Sequence, residues 1–488
     1  MNLRRFSGEA MLYVMAATFE PTAGLLLLPL LGRFLTPSEL GVADIITATG
    51  GIAFFAVGLN LDQALTRYYY DSDRRVLATT HATLVLANGA ALVVGGIAAL
   101  ALANLTQWKA WTCALFAAPL TVLLEHVFTL FRLRHEPGHL LTAATLRAFA
   151  WVVVTAGLLV GWRAGVVAVF AGRLVGCLAA TAAMVFWLRG VYARRGRGSY
   201  LRRSLQFAAP TIPATFASLG IMQAPRYFLG IGASAAEVGY YGVGVRLGLI
   251  IAMIGIGAAM AWGPFAMSVK DEKGAPEVFG RALLYLLAVN VAVVAPLCAF
   301  AREETAILMG ARYLPAVPLI GPLVVASAFS NMALLLFSQI AIAERTHWQS
   351  VSYLLGLAVM SLLNLLLIGR WQSLGAAVAT LVAQVVTAGT MYYAAQRHFP
   401  VPVARGRLAA LCALLVAVLV TGAWLNAAFL PARMTLPLKG VLTFATWGAC
   451  LALLGRREIR AIIGLARAIA HAEPASPERA SVRSEVTP

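Results

Sequence analysis

Four arginines lie inside long apolar stretches of the chain: Arg147, Arg173, Arg226 and Arg246. A charge inside a membrane segment costs roughly 2.5–3.5 kcal/mol on insertion scales, so such groups usually face a water-filled cavity or an opposite charge. Guanidinium stays charged and can donate paired hydrogen bonds to phosphate oxygens. We therefore predict that these arginines bind an anionic substrate, and that a diphosphate headgroup suits them.

Each arginine also has a structural interpretation. Arg246 lies about two helical turns inside its span, so the alternative to substrate contact is a bridge to one of the acids described next. Arg226 lies near a span end, where its stem can extend to lipid headgroups. Arg173 lies near mid-span, which favours a cavity or a carboxylate partner. Arg147 is close enough to a surface for its side chain to reach headgroups.

Two acids in the first two spans are candidates to bind a coupling ion, H⁺ or Na⁺. Glu20 precedes Pro21, and proline leaves a helical carbonyl without its donor. A buried carboxylate beside it could bind a proton or Na⁺. Asp44, in the second span, is the other candidate. The alternative is that each carboxylate pairs with an arginine.

Asp62 and Arg67 flank the end of the second span. An ionic contact between them would form a gate at the cytoplasmic side of the protein. The alternative is that both are solvated at a helix end, since residues five apart need not touch within one helix.

These residues belong to a chain that composition places in a membrane. Of its 488 residues, 60% are apolar and 12% charged, and the mean hydropathy is +0.81. Runs of roughly 20 apolar residues cross a bilayer, and the sequence contains about fourteen of them. They cover residues 9–31, 40–61, 77–103, 108–131, 140–161, 165–188, 205–230, 238–262, 280–300, 315–341, 351–369, 374–395, 408–428 and 436–455.

Basic residues fall mainly in every second gap between these runs, 24 on one side against 8 on the other. Cytoplasmic loops carry the excess of Lys and Arg. The pattern predicts a multi-pass protein of the cell inner (plasma) membrane with both termini in the cytoplasm and an even number of spans.

The net charge of +18 follows from this topology, because basic loops meet anionic lipid headgroups. No nucleic-acid motif is present, so we expect no nucleic-acid partner. The five cysteines lie apart in apolar spans, and the histidines lack the spacing of metal ligands. We expect no metal and no cofactor.

The chain contains an internal repeat. Residues 35–41 resemble residues 233–239, and residues 165–168 resemble residues 375–378. The two matches pair spans 1–6 with spans 7–12 in the same orientation, and such repeats place a binding site between the halves. We predict an N-terminal six-helix bundle at 1–188 and a C-terminal one at 205–396, joined by a basic cytoplasmic linker at 189–204.

The remaining segments follow the repeat. Two further membrane helices are expected at 397–455. Arginines on one face and isoleucines largely on another predict an interfacial helix at 456–471. Residues 472–488 are small, polar and proline-bearing, and a disordered tail is expected.

Several motifs carry a resemblance to a known family. They are Leu31–Gly41 (LGRFLTPSELG), Gly58–Tyr69 (GLNLDQALTRYY), Ala209–Pro213 (APTIP), Pro225–Arg226, Glu237–Tyr241 (EVGYY) and Arg246. They are similar to oligosaccharide-lipid (O-antigen or polysaccharide) flippases of the multidrug/oligosaccharidyl-lipid/polysaccharide exporter superfamily. Pro225 stands where that family usually has an acid, so the ion pair that the resemblance would imply there is not expected in this chain.

The resemblance implies two six-helix bundles around a central cavity and movement of a polyprenyl-diphosphate-linked oligosaccharide by alternating access, without covalent chemistry. Related exporters couple transport to cations through an acid of the first bundle, which supports Glu20. Membrane lipids and other membrane proteins of polysaccharide assembly are the expected partners.

Three alternatives stay open. They are a cation-coupled multidrug antiporter of the same fold, a flippase for peptidoglycan precursors, and a membrane polymerase or glycosyltransferase. The four arginines disfavour the first, the absence of an arginine-rich first span disfavours the second, and short outer loops disfavour the third.

Overall fold

The computed structural model describes residues 3–103, 107–188, 190–272, 274–427 and 432–455, and within them it contains helices and no strands. The α-helices are α1 (Leu3–Leu26), α2 (Leu28–Phe34), α3 (Pro37–Gly58), α4 (Leu61–Tyr68), α5 (Arg74–Ala103), α6 (Trp108–Leu133), α7 (Pro137–Trp162), α8 (Val166–Trp187), α9 (Gly198–Ala208), α10 (Ile212–Gly232), α11 (Ala235–Val269), α12 (Ala275–Ala299), α13 (Ala301–Leu308), α14 (Val317–Ile342), α15 (His347–His398), α16 (Arg405–Ala427) and α17 (Ala432–Leu454).

Thirteen helical stretches of the described residues are long and apolar enough to cross a membrane. One of them, α15, has 52 residues and a non-helical break at Gln372, with φ of 48° and ψ of −128°. A 52-residue helix would be about 78 Å long, far more than a bilayer. The break makes α15 two spans, which gives the fourteen predicted from the sequence. The prediction of an all-α polytopic membrane protein is confirmed.

Two of the membrane spans are interrupted along their length. The first span is interrupted at Leu27, between α1 and α2. The seventh is interrupted by a 3₁₀ turn, Ala209–Thr211, between α9 and α10. Pro225 lies inside α10 without ending it. In the seventh span the bend therefore occurs where two prolines lie close together, at Pro210 and Pro213, because each removes a donor from the same turn.

The two members of the internal repeat meet in space. We call the side on which α1 begins the N-terminal face, and the side on which α3 and α11 begin the opposite face. A Cβ on Gly41 would lie 1.7 Å from the carbonyl oxygen of Ala235, and one on Gly239 would lie 2.0 Å from that of Pro37. The reciprocal contacts show that α3 and α11 cross backbone to backbone, as small residues allow in membrane helices.

The last two helices pack against α12, beside the main apolar core that α11, α12, α14 and α15 share. Lys439, one of the eight basic residues counted on the less basic side of the membrane, is instead buried in α17. Its Nζ donates to both carboxylate oxygens of Glu303 at 2.8 and 2.7 Å and to Asn426 Oδ1 at 2.9 Å. The predicted interfacial helix at 456–471 and tail at 472–488 lie outside the described residues.

Candidate functional site: a charged cavity between the two halves

A cavity of about 640 Å³ lies between α3, α6 and α8 of the N-terminal half and α10 of the C-terminal half. It extends from Glu20, in the middle of the first span, to Asn60 and Asp62 at the N-terminal face. Every charged residue that lines it comes from the N-terminal half: Glu20, Asp62, Glu125, Arg132, Arg147 and Arg173. The helix α10 contributes Thr215, Ser218, Leu219, Met222 and Gln223.

Glu20 occupies the centre of a charge cluster on the cavity wall. Its Oε2 accepts a hydrogen bond from Nη2 of Arg147 at 2.5 Å, and its Oε1 accepts one from Nη2 of Arg173 at 2.6 Å. One carboxylate thus bridges two guanidinium groups on two different helices. Charge-assisted bonds of this length are among the strongest that side chains make.

Glu125 and Arg132, both on α6, complete the cluster. Glu125 Oε1 lies 3.3 Å from Nη1 of Arg147, a longer contact than those of Glu20. Arg132 donates to Thr129 Oγ1 at 2.8 Å. Neither residue was predicted from the sequence as part of the site. The signal that could have found Glu125 is charge balance, because Glu20 alone cannot neutralise both Arg147 and Arg173.

Close packing of α7 and α8 holds the two arginines in place. A Cβ on Gly176 would lie 2.6 Å from the carbonyl oxygen of Arg147, and one on Gly172 would lie 2.2 Å from Thr155 Oγ1. The two glycines are four residues apart, so one face of α8 presses against α7. Arg173, between them in sequence, turns toward the cavity, and its Cζ lies 5.8 Å from the ring centroid of Trp151.

A smaller cavity of about 180 Å³ lies beyond the cluster, between α1, α6, α7 and α11. It shares Glu20, Glu125, Arg132 and Arg147 with the main cavity and is otherwise lined mostly by apolar groups such as Met260. The charge cluster therefore forms the partition between two spaces.

Arg246 pairs with Asp44, which is one of the two arrangements left open by the sequence. Its Nη1 donates to Oδ2 at 2.9 Å and its Nη2 to Oδ1 at 2.5 Å. Gly242 leaves room for this bridge, because a Cβ there would lie 1.6 Å from Asp44 Oδ2. The pair joins α3 to α11 near the opposite face and does not line the main cavity. Its part in transport stays a prediction.

Arg226 is buried against its own helix. Its Nη1 donates to the Met222 carbonyl at 2.7 Å and to Gln223 Oε1 at 2.6 Å. Its Nε has no hydrogen-bond partner among the described residues. Arg226 thereby orients Gln223, whose side chain lines the cavity.

The two predicted gate residues do not pair with each other. Arg67 Nη1 contacts Asp71 Oδ2 at 2.7 Å, and both side chains are more than half exposed. Asp62 lines the main cavity. At the same face, Asn60 Nδ2 donates to Thr211 Oγ1 at 3.0 Å and Thr215 Oγ1 at 2.8 Å, which joins the two halves. This polar contact was missed by sequence reasoning because neither partner is charged.

The geometry can bind an anion. Two guanidinium groups converge on one point of the cavity wall, and the carboxylate now between them has the charge and the paired oxygens of a phosphate. Among the described residues, no group of three or more His, Cys, Asp or Glu is arranged to hold a metal ion.

Known structures share this architecture. The structure of the lipid II flippase MurJ in an inward closed conformation matches with a TM-score of 0.69 and 12% identity, over 90% of this chain and 98% of that one. An inward-facing multidrug resistance MATE family transporter of the MOP superfamily matches with a TM-score of 0.61 and 14% identity, over 82% and 96%. A MOP superfamily transporter from Pyrococcus furiosus gives 0.60 and 14%, over 83% and 95%. At these identities the likeness shows a common fold.

Sequence comparison assigns the family. No curated protein matches the chain significantly. A family model described as "Polysaccharide biosynthesis protein" matches residues 30–318, which is more than half of the chain and includes most of the charge cluster. Together with the shared fold, this match confirms the resemblance seen in the motifs. The chain belongs to the polysaccharide biosynthesis protein family, within the fold of the multidrug/oligosaccharidyl-lipid/polysaccharide exporters.

Proposed function

We propose that this protein flips a polyprenyl-diphosphate-linked oligosaccharide from the cytoplasmic to the outer leaflet, for the synthesis of a cell-surface polysaccharide. In this proposal both termini are cytoplasmic and the membrane is the cell inner membrane, as the 24-to-8 distribution of loop charges favours. The protein performs no covalent chemistry on its substrate. Alternating access between the two halves moves it.

The observation that carries the proposal is the convergence of Arg147 and Arg173 on one point of the cavity wall. A diphosphate offers several oxygens to two guanidinium groups. The cavity volume of about 640 Å³ lies within the range of roughly 300–1,000 Å³ typical of small-molecule sites. This volume suits a diphosphate with its first sugars, while a polyprenyl tail would remain in the lipid.

The polar lining supports the sugar part of the substrate. Thr47, Thr121, Thr215, Ser218 and Gln223 line the same cavity. Their hydroxyl and amide groups donate and accept hydrogen bonds, as sugar hydroxyls require. Phe54, Phe55 and Phe170 line it as well and offer aromatic surfaces.

A second candidate is a cation-coupled multidrug antiporter. It is favoured by the carboxylates of Glu125 and Asp62, which line the cavity and could attract a cationic drug. The two candidates demand opposite charge on the substrate, so one assay separates them.

The test is reconstitution of the full chain into liposomes with a labelled polyprenyl-diphosphate oligosaccharide in the inner or outer leaflet. We expect translocation above that of protein-free liposomes, detected by access of a glycosidase or a lectin to the sugar. A cationic dye loaded into the same liposomes is expected to show no proton-driven movement. Dye transport without lipid translocation would establish the antiporter instead.

A further inference from the structure

Glu20 occupies the place that the proposed function gives to the substrate. Its two carboxylate oxygens accept one hydrogen bond each from Arg147 and Arg173, at 2.5 and 2.6 Å. The Nη2 group of each arginine is thus already engaged by a group that resembles a phosphate in its paired oxygens. An arriving diphosphate must compete with this carboxylate.

We propose that Glu20 is an internal counter-ion that the diphosphate displaces, and that Glu20 takes up a proton as it leaves the two arginines. The inference rests on the proposed function and identifies the regulation of its binding site. It makes headgroup binding and protonation one coupled event.

The charges around Glu20 explain why the exchange needs a proton. The titratable and charged groups of the cluster that share its cavities are Arg147 from α7, Arg173 from α8, Glu125 and Arg132 from α6, and Tyr13 from α1 itself, while α11 contributes the apolar Met260. The cluster carries three positive charges, on Arg132, Arg147 and Arg173, against the two negative charges of Glu20 and Glu125. A diphosphate brings at least two negative charges, so its addition beside an ionised Glu20 would leave the cluster with net negative charge. A displaced carboxylate without a cation is costly in a low-dielectric site, and protonation removes that cost.

The structure also provides room for the displaced side chain. Glu20 borders the second cavity of about 180 Å³ on the far side of the cluster. Pro21 follows it, so the backbone of α1 lacks one hydrogen bond at this turn and is easier to bend. Arg147 cannot follow Glu20 easily, because its side chain is only 7% exposed and the adjacent Gly176 packs on its backbone.

The two acids of the cluster are expected to behave differently. Glu125 touches one arginine at 3.3 Å, so neutralising it frees neither guanidinium from its bridge to Glu20. Glu20 bridges both. Neutralising Glu20 therefore exposes both arginines to the ligand, whereas neutralising Glu125 does not.

Calorimetry on the full chain in lipid nanodiscs tests the exchange, with farnesyl diphosphate as the probe. Titrations at pH 6 to 8 in buffers of different ionisation enthalpy give both the Kd and the number of protons taken up. One linked proton changes the Kd by up to about tenfold per pH unit. For the wild type we expect weaker binding as pH rises. For Glu20→Gln we expect about tenfold tighter binding at pH 8 and an uptake lower by about one proton.

The matched control is Glu125→Gln, which removes the same charge without freeing either guanidinium from Glu20; it is expected to tighten binding less than Glu20→Gln does and to keep the wild-type proton uptake. The ligand's own protonation is common to all three proteins and cancels in the comparison. A larger effect of Glu125→Gln than of Glu20→Gln would overturn the proposal. Melting temperatures of the variants show that each is folded.

The remaining outcomes distinguish the exchange at Glu20 from the diphosphate site itself. Binding with the same affinity and the same proton uptake in wild type and Glu20→Gln overturns the exchange and leaves the diphosphate site intact. No binding by either protein overturns the diphosphate site and the exchange with it. Inorganic pyrophosphate is expected to show the same Glu20→Gln shift at weaker affinity. Binding of pyrophosphate as tight as that of farnesyl diphosphate would make the ligand a free anion and contradict the lipid-linked one.

Discussion

The N-terminal half, α1 to α8, places most of its intramembrane charges around a cavity, whereas the C-terminal half, α10 to α15, places its arginines in the helix packing. Glu20, Glu125, Arg147 and Arg173 line the cavity. Arg226 bonds to its own helix, and Arg246 is held by Asp44. The two halves related by the internal repeat thus place charge differently: in the proposed function one set of charges holds the ligand, whereas the other joins helices.

The two glycines at the crossing of α3 and α11 lie where the repeat is symmetric, and the difference in charge begins next to them. Gly41 and Gly239 occupy equivalent positions and make equivalent contacts. Three residues further along, the equivalence ends, because Asp44 corresponds to Gly242 at the same spacing of 198 residues. Asp44 carries a negative charge where Gly242 has only a hydrogen atom as its side chain, and Arg246 neutralises that charge. The bridge therefore exists once and not twice.

The largest effect on this comparison is expected from Arg147→Met. The change leaves Glu20 with one arginine and Glu125 with none, and removing one partner of a buried pair costs about 3–5 kcal/mol. Because both acids remain partly open to the cavity, we expect a loss of about 2–3 kcal/mol in the free energy of unfolding. Translocation of the diphosphate-linked oligosaccharide in liposomes should be lost.

Arg173→Met provides the matched control for the stability part of that prediction. Arg173 is 29% exposed against 7% for Arg147, so its removal is expected to lower the melting temperature less while still abolishing translocation. Equal melting temperatures for Arg147→Met and Arg173→Met would contradict the prediction that the more buried arginine contributes more to stability.

A smaller effect is expected at the cluster that anchors the last two helices. Burial, together with the neighbouring Glu303 carboxylate, raises the pKa of Glu304 to about 8, although Lys439 acts in the opposite direction. The folded state therefore binds this proton more tightly than the unfolded state does, and stability present near pH 5 is lost as pH rises toward 8. We expect the melting temperature to fall over that range, and to fall less in Glu304→Gln.

This prediction tests whether C-terminal charges serve stability alone. The translocation rate of Glu304→Gln, corrected for the amount of folded protein, is expected to equal that of the wild type. The prediction would be contradicted if Glu304→Gln changed the translocation rate but left the pH dependence of the melting temperature as in the wild type.

The spans could be predicted from the sequence because they depend on composition over roughly 20 residues. Fourteen crossings, the break near Pro210, and the repeat at Gly41 and Gly239 all have local signals. The break at Leu27 has one as well, since Pro29 lies at the second position of α2 and removes a helical hydrogen-bond donor from this turn.

The site was predicted only in part because pairing depends on which face of each helix turns toward which neighbour. Sequence analysis identified Glu20, Arg147 and Arg173 as charges that need partners, and the structure brings these three together. It left open whether Arg246 meets Asp44 or a substrate. Lys439 was assigned to a loop because it lies near a span end, and only the packing of α17 on α12 shows that it is buried.

The central claim, that the N-terminal half alone holds the headgroup, is tested most directly by comparing Arg173→Gln with Arg226→Gln in the liposome assay. Both substitutions remove one intramembrane arginine and keep a polar side chain. The account predicts that Arg173→Gln loses translocation of the labelled polyprenyl-diphosphate oligosaccharide while Arg226→Gln retains at least about half of the wild-type rate, because Arg226 contacts its own helix. Wild-type translocation by Arg173→Gln, or loss in Arg226→Gln alone at equal folded amounts, would contradict it.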